Sequence, residues 1–213
     1  MFDTVVIDLK ISNIRSVISA CKTADIKFKI FSNEKDLNNT KSIIIPGVGA
    51  FPEAIKFLKR KKLISKIKNF FSSGKPILGI CLGMQVFFSK SNEFKLTRGL
   101  NIINVGVKRF DKKKGAMIPN IGWQKITNNK ILRSKIFKDI NPEDYFYFIH
   151  SYYAKKSFSK KKIIIETNKN GKDNFCTFVN YKNLYLMQFH PEKSGQNGIK
   201  IFKNFKKIIY NEI

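Results

Sequence analysis

A cysteine between two glycines is the first place in this chain where chemistry is legible. It stands in Gly79-Ile80-Cys81-Leu82-Gly83-Met84-Gln85. An apolar run ends at Ile80 and a helix is expected to begin just after Cys81, so the stretch reads as a nucleophile elbow with a thiol in place of a hydroxyl. Such a turn holds its nucleophile in strained backbone geometry and needs small neighbours. A thiol at a helix N-terminus also feels the positive end of the helix dipole, which favours the thiolate, the form that attacks. A buried, inert cysteine in a Gly-rich strand-to-helix turn would look the same, and this stretch alone does not separate the two.

The second signal is Gln188-Phe189-His190-Pro191-Glu192-Lys193-Ser194-Gly195. The chain has two histidines, and this one ends an apolar strand, at the kind of edge where parallel sheets place their sites. Pro191 stops the ladder just beyond it. In extended chain, residues two apart share a side, so Glu192 is expected to face His190, fix its tautomer and stabilise its imidazolium. A lone strand-end histidine is ordinarily a satisfied surface or core residue. Beside a cysteine elbow, the pair reads instead as the base and orienting carboxylate for Cys81.

These residues need a scaffold, and the first half of the chain supplies an alternating one. Residues 4–8, 27–31, Ser42–Ile45 and Ile77–Ile80 read as short apolar strands. Between them, a helix capped by Ser12 or Asn13 is expected to run to about Thr23, and helical segments to span 50–71. Alternation of this kind implies a parallel sheet with helices on both faces. In the second half, 100–110, 117–126, 145–149, 163–167, 174–180 and 184–189 read as extended, and a last amphipathic helix covers 197–210. The fold class is therefore α/β: a mostly parallel open sheet flanked by helices, with antiparallel strands added by the second half. No linker, repeat or low-complexity tail divides residues 1–213, and one domain is expected.

Composition bounds the rest. The formal charge is +26, from 41 Lys and Arg against 15 Asp and Glu. The lysines are dispersed, and neither an aromatic-basic recognition motif nor a helix-turn-helix pattern accompanies them. The charge thus reads as compositional bias that favours an anionic partner or phosphorylated substrate, not as a nucleic-acid interface. Three widely spaced cysteines, Cys21, Cys81 and Cys176, without a CxxC, point to a reducing compartment and not to a disulfide framework or a metal site. No apolar run approaches the ~18 residues of a membrane span, and the first ten residues read as a strand and not as a signal peptide, so a cytoplasmic location is expected.

Taken together, the motifs resemble the class I (triad) glutamine amidotransferases. Five stretches carry the resemblance: Asn13-Ile14-Arg15-Ser16-Val17, Ile45-Pro46-Gly47-Val48-Gly49-Ala50-Phe51, Gly79 to Gln85, Phe146-Tyr147-Phe148-Ile149-His150-Ser151-Tyr152-Tyr153, and Gln188 to Gly195. They span essentially the whole chain. Met84, and the Lys-Ser-Gly after Glu192, resemble the branch that serves as glutaminase of imidazole glycerol phosphate synthase in histidine biosynthesis.

The resemblance implies that Cys81 attacks the carboxamide carbon of glutamine, that His190 moves the protons and that Glu192 orients His190. It also implies an oxyanion hole from Leu82 and the Gly47-Val48-Gly49 segment, where a peptide flip completes the hole when a partner is engaged. Gln85, Ser151 and Tyr152 match positions that hold the substrate. No cofactor is implied. The implied partner is a (β/α)8-barrel cyclase subunit that receives ammonia through a channel, with Asn13, Trp123, Tyr147 and Lys193 at or near the interface. Trp123, the only Trp, suits an interface or, beside Gly122, a core position.

Two stretches depart from the family pattern. Leu9-Lys10-Ile11-Ser12-Asn13 stands where Tyr-Gly-x-Gly-Asn is usual. Pro119-Asn120-Ile121-Gly122-Trp123-Gln124 stands where Pro-His-x-Gly-Trp-Asn is usual. Neither touches the triad. Both bear on the partner, so a paralogous subunit supplying ammonia for amidino-sugar synthesis stays open beside the histidine-pathway reading. A non-enzymatic basic binding protein on the same fold is the reading from another class, and the intact Cys81, His190 and Glu192 set argues against it.

Overall fold

The computed structural model describes residues 2–9, 14–126, 134–155 and 163–213. The expected cap at Ser12 or Asn13, and the interface position Asn13, lie outside the described residues. The first half runs β1 (Thr4–Val6), α1 (Ile14–Thr23), β2 (Phe28–Ile30), β3 (Ser42–Ile45), α2 (Phe51–Arg60), α3 (Leu63–Ser72), β4 (Ile77–Ile80) and α4 (Leu82–Gln85). Then come β5 (Phe88–Ser91), β6 (Thr97–Arg98), β7 (Ile103–Arg109), β8 (Asn120–Lys125), β9 (Tyr145–His150) and β10 (Tyr152–Ala154). The chain ends with β11 (Ile163–Asn170), β12 (Asp173–Tyr181), β13 (Leu184–Met187) and α5 (Gly195–Ile209).

A seven-stranded sheet has the order β11-β12-β13-β4-β3-β1-β2. Its strands β2, β1, β3, β4 and β13 are mutually parallel. Successive side chains of these strands point to opposite faces, and both faces are apolar. Val6, Ile44, Leu78 and Met187 pack with Val17 and Cys21 of α1 and Ile201, Phe202 and Phe205 of α5. Val5, Ile43, Ile45, Ile77 and Leu186 pack with Ile55 and Leu58 of α2 and Ile67 of α3. The expected helical span over 50–71 is two helices, because Lys62 takes a left-handed conformation with φ 52° and ends the continuous ladder.

The second half differs from the expectation in one respect. Among the described residues, only β11 and β12 add to the main sheet as antiparallel strands; β13 is parallel, inserted between β12 and β4. The remaining strands build a four-stranded sheet, β10-β7-β5-β6, and a two-stranded ribbon, β8-β9. Alternation of residues reveals that a strand exists but not which edge it joins. The insertion of β13 matters for chemistry, since it sets the ends of β4 and β13 side by side, with Ile80 opposite Met187. Among the described residues no helix is long and apolar enough to cross a membrane.

Candidate active site

Cys81 follows β4 with φ 52° and ψ −109°, a conformation that L residues rarely hold. The turn is pinned on both sides. The Cys81 N–H donates to the Met187 carbonyl at 2.7 Å, and the N–H groups of Met84 and Gln85 donate to the Cys81 carbonyl at 3.0 Å. Gly83 is required by close approach: a Cβ there would lie 1.7 Å from the Ile45 carbonyl oxygen. The expected elbow is therefore present. The helix that follows is only the four residues of α4, so a helix dipole contributes less than the sequence suggested.

His190 follows β13 on the neighbouring strand. Its N–H donates to the Tyr147 carbonyl at 2.8 Å, and its carbonyl accepts from the Ser194 hydroxyl at 2.6 Å. The imidazole side chain is 1% exposed and its Nδ1 meets Glu192 Oε1 at 2.7 Å; the Glu192 side chain is 6% exposed. Glu192 reaches the ring by a different route from the expected one. Pro191–Lys193 is a single turn of 3-10 helix, not extended chain, and the turn folds the carboxylate back onto Nδ1.

His190 Nε2 and Glu192 Oε2 are buried without hydrogen-bond partners among the described residues. The contact of His190 with Cys81 is thus electrostatically close without being aligned as a hydrogen bond. Burial opposes the charged imidazolium, and closeness to Cys81, followed by the hydrogen bond to Glu192 and its charge, outweighs it, so the imidazole holds its proton well above its usual range. A proton kept there and an unpartnered Nε2 suit a group that passes a proton to a bound molecule.

Cys81 opens on a cleft of about 630 Å³, lined by Val48, Gly49, Leu82, Gln85, Ser151 and Tyr152 among others. The sequence-derived substrate positions Gln85, Ser151 and Tyr152 are therefore brought together at one site. The N–H groups expected to form an oxyanion hole are not arranged to do so here. The Leu82 N–H donates to the Gly47 carbonyl at 3.2 Å, so a carbonyl, not a second donor, faces it. Gly49, close by in the same segment, takes φ 107°, a conformation that glycine adopts without strain.

Three polar residues here went unassigned from sequence. Gln188 donates from Nε2 to Cys81 Sγ at 3.5 Å. His150 is buried on the cleft wall. Glu93 also lines the cleft, and its Oε2 accepts from the Phe51 N–H at 2.7 Å. Burial pushes the Glu93 carboxyl up, and that N–H opposes the shift. Gln188 and His150 sat inside quoted motifs without a stated role. Glu93 sits in a polar loop with no local signature.

At the mouth, Trp123 is 54% exposed, which overturns the core alternative for it. It faces Tyr147 across the β8-β9 ribbon with ring centroids 5.8 Å apart, and Lys193 Nζ lies 6.0 Å from the Tyr147 ring. Ile121 and Tyr145 are exposed on the same side of the ribbon.

The other two thiols are remote from this chemistry. Cys21 packs into the core from the buried face of α1, where burial pushes its thiol up to about 12, and Cys176 is buried in β12. Neither has an open path to a substrate. Cys21→Ser and Cys176→Ser are expected to keep turnover within about threefold, with a stability loss of roughly 1–2 kcal/mol from placing a hydroxyl in an apolar site. Steady-state turnover and thermal melts check both. Loss of turnover in a folded variant would remove Cys81 as the sole nucleophile.

The family described as Glutamine amidotransferase class-I matches residues 5–208. The chain is 40% identical over 204 residues to the imidazole glycerol phosphate synthase subunit HisH of Caldanaerobacter subterraneus, covering 96% of this chain and 97% of that one. It is 36% identical over 207 residues to the subunit of the same name from Listeria monocytogenes, covering 97% and 96%. A crystal structure of a glutamine amidotransferase superposes with TM-score 0.72 over 97% of this chain and 98% of that one; at 13% identity this likeness bears on the fold alone.

Proposed function

The chain belongs to the class-I glutamine amidotransferase family, and from that premise we propose that Cys81, His190 and Glu192 carry its reaction as the glutaminase subunit of imidazole glycerol phosphate synthase. One observation supports this assignment of residues above all: a thiol on a strained elbow and a buried His190–Glu192 pair follow the ends of adjacent parallel strands, close enough for the charge on Cys81 to act on His190.

The Cys81 thiolate attacks the side-chain carboxamide carbon of glutamine. His190 gives its proton to the leaving nitrogen, so ammonia departs and a thioester remains. Water, deprotonated by His190, then cleaves the thioester to glutamate and restores the thiol. Glu192 holds Nδ1–H throughout, which leaves Nε2 to face the reacting atoms. Glu93 is a carboxylate on the cleft wall and suits the α-ammonium group of the substrate. Rotation of the Gly47–Val48 peptide would free the Leu82 N–H and turn the Val48 N–H toward the oxyanion.

The chain works as one subunit of a complex, and the partner we assign is a (β/α)8-barrel cyclase that takes up the ammonia. The exposed outer side of the ribbon, with Trp123 and Tyr147, and Lys193 beside the cleft, is the surface assigned to it. Glutamate release by the purified chain is expected to be weak alone. With the cyclase subunit and its nucleotide substrate it should rise by roughly 10²-fold or more, the worth of an oxyanion donor. Hydrolysis indifferent to both additions would move the acceptor to another pathway and remove the gated loop.

A further inference from the structure

Behind the cleft runs a line of uncharged polar side chains of which only Gln85, at the substrate, has so far been given a task. Its polarity can be read outward from one atom that only accepts, the Tyr152 carbonyl oxygen. Two groups meet that oxygen at 2.9 Å, Gln85 Nε2 and His150 Nδ1. His150 Nδ1 therefore carries the proton. In the neutral ring Nε2 is then an acceptor, and Asn120 Nδ2 donates to it at 2.9 Å. Asn120 Oδ1 accepts from Gln124 Nε2 at 2.8 Å, and Gln124 Oε1 accepts from Asn168 Nδ2 at 3.2 Å.

In the other direction Gln85 Nε2 also donates to Gln188 Oε1 at 3.0 Å. That leaves Gln188 Nε2 as the group on Cys81 Sγ, at 3.5 Å. The line runs unbroken from β8 to the thiol.

Each member is held in one orientation by the next. A flip of the Gln188 amide would set its nitrogen against the Gln85 nitrogen and its oxygen against Cys81. A buried donor or acceptor left unmatched costs about 1–3 kcal/mol, so the line resists inversion at every step. His150 is the pivot: the rings of Phe110, Phe148 and Phe175 lie within 6.0 Å of it, and burial depresses its proton affinity to about 3, opposed by the hydrogen bond to the Tyr152 carbonyl and assisted by the charge on His190. It stays neutral, which the polarity requires.

We propose that His150 and Asn120 are positioning residues that act through Tyr152 and Gln85 to fix the Gln188 side chain with its N–H toward Cys81, giving the thiolate a hydrogen-bond donor. The proposal rests on the reading of Cys81 as the nucleophile. It also gives the ribbon two faces with two tasks. Ile121, Trp123 and Tyr147 share the outer side, whereas Asn120, Gln124 and His150 share the inner side and hold the thiol's environment.

The test has two parts. In the unsubstituted chain labelled with ¹⁵N-histidine, two rings give signals. One is expected to be neutral, protonated on Nδ1 and unchanged from about pH 5 to 9. Protonation on Nε2, or titration in that range, would overturn the line's polarity.

In the second part, Asn120→Leu, Gln188→Leu and the double variant are compared, both as the chain and assembled with its partner subunit. Asn120→Leu is expected to slow alkylation of Cys81 by iodoacetamide at pH 7, and to lower kcat about tenfold with KM within about twofold. The double variant should be no slower than Gln188→Leu alone, since both cut one line. Unchanged alkylation and kcat in Asn120→Leu, or additive losses in the double variant, would refute the proposal. Absence of Cys81-dependent hydrolysis in the unsubstituted enzyme would overturn the glutaminase reading instead. The ring spectrum and alkylation rates would still decide the role of His150.

Discussion

Cys81→Ala is expected to lower glutamate release by at least about 10⁴-fold, the scale on which loss of a covalent nucleophile is felt in other triads. No other thiol can substitute, because Cys21 and Cys176 are buried in the core. The fold should survive. Alanine keeps the Cβ and meets the same φ of 52° that cysteine already tolerates, and the side chain removed is small and 6% exposed. The thermal midpoint should move by no more than a few degrees, and assembly with the partner subunit should persist, since Trp123 and Tyr147 lie elsewhere. A second consequence separates loss of the nucleophile from general damage. The charge on Cys81 is the foremost influence raising the His190 proton affinity against burial, so in Cys81→Ala that affinity should fall, visibly in a histidine NMR titration. Retained turnover in a preparation free of other glutaminases would end the covalent mechanism.

Glu192→Gln is expected to reduce kcat/KM by roughly 10²- to 10⁴-fold, less than Cys81→Ala, because the nucleophile and the base remain while the orienting charge is lost. Glutamine is close in size and its amide oxygen can still accept from Nδ1, so packing is preserved. The pH dependence carries the sharper signature. Glu192 stabilises the imidazolium; without it the His190 proton leaves at lower pH, and the alkaline limb of kcat/KM should shift toward neutrality. The sign for stability agrees. A histidine whose folded affinity exceeds its ordinary 6.5 contributes stability that is complete below about pH 6.5 and is lost as pH rises through the folded value. Glu192→Gln should therefore narrow the stability difference between neutral and alkaline melts. An unmoved alkaline limb, or a loss equal to that of Cys81→Ala, would show that Glu192 does more than hold the ring.

Much of the site was readable from local pattern. The glycines around Cys81 and the Pro-Glu after His190 are short-range signals, because the strain of an elbow and the end of a strand are set within a few residues. The same locality explains the errors. Glu192 reaches His190 through a turn that Pro191 starts and that Ser194 pins to β9 by accepting from the Tyr147 N–H, and extended geometry could not foresee that anchor. Leu82 reads as a free donor until the Gly47 carbonyl is seen opposite it, more than thirty residues earlier in the chain.

The sequence by itself determined the alternation of strand and helix, the family to which the chain belongs, and the candidates proposed as nucleophile, base and carboxylate. These depend on residue type and on spacings of one to a few positions, where sterics and periodicity act directly. Only the tertiary structure decided that β13 lies parallel beside β4, that Trp123 faces outward, and that Gln85, Gln188, His150 and Asn120 form one line to the thiol. A hydrogen bond specifies its partner by distance and direction in space, and neither leaves a mark at a fixed separation along the chain. Strand order is likewise set by which apolar faces the packed helices cover, a property of the assembled sheet and not of any one segment.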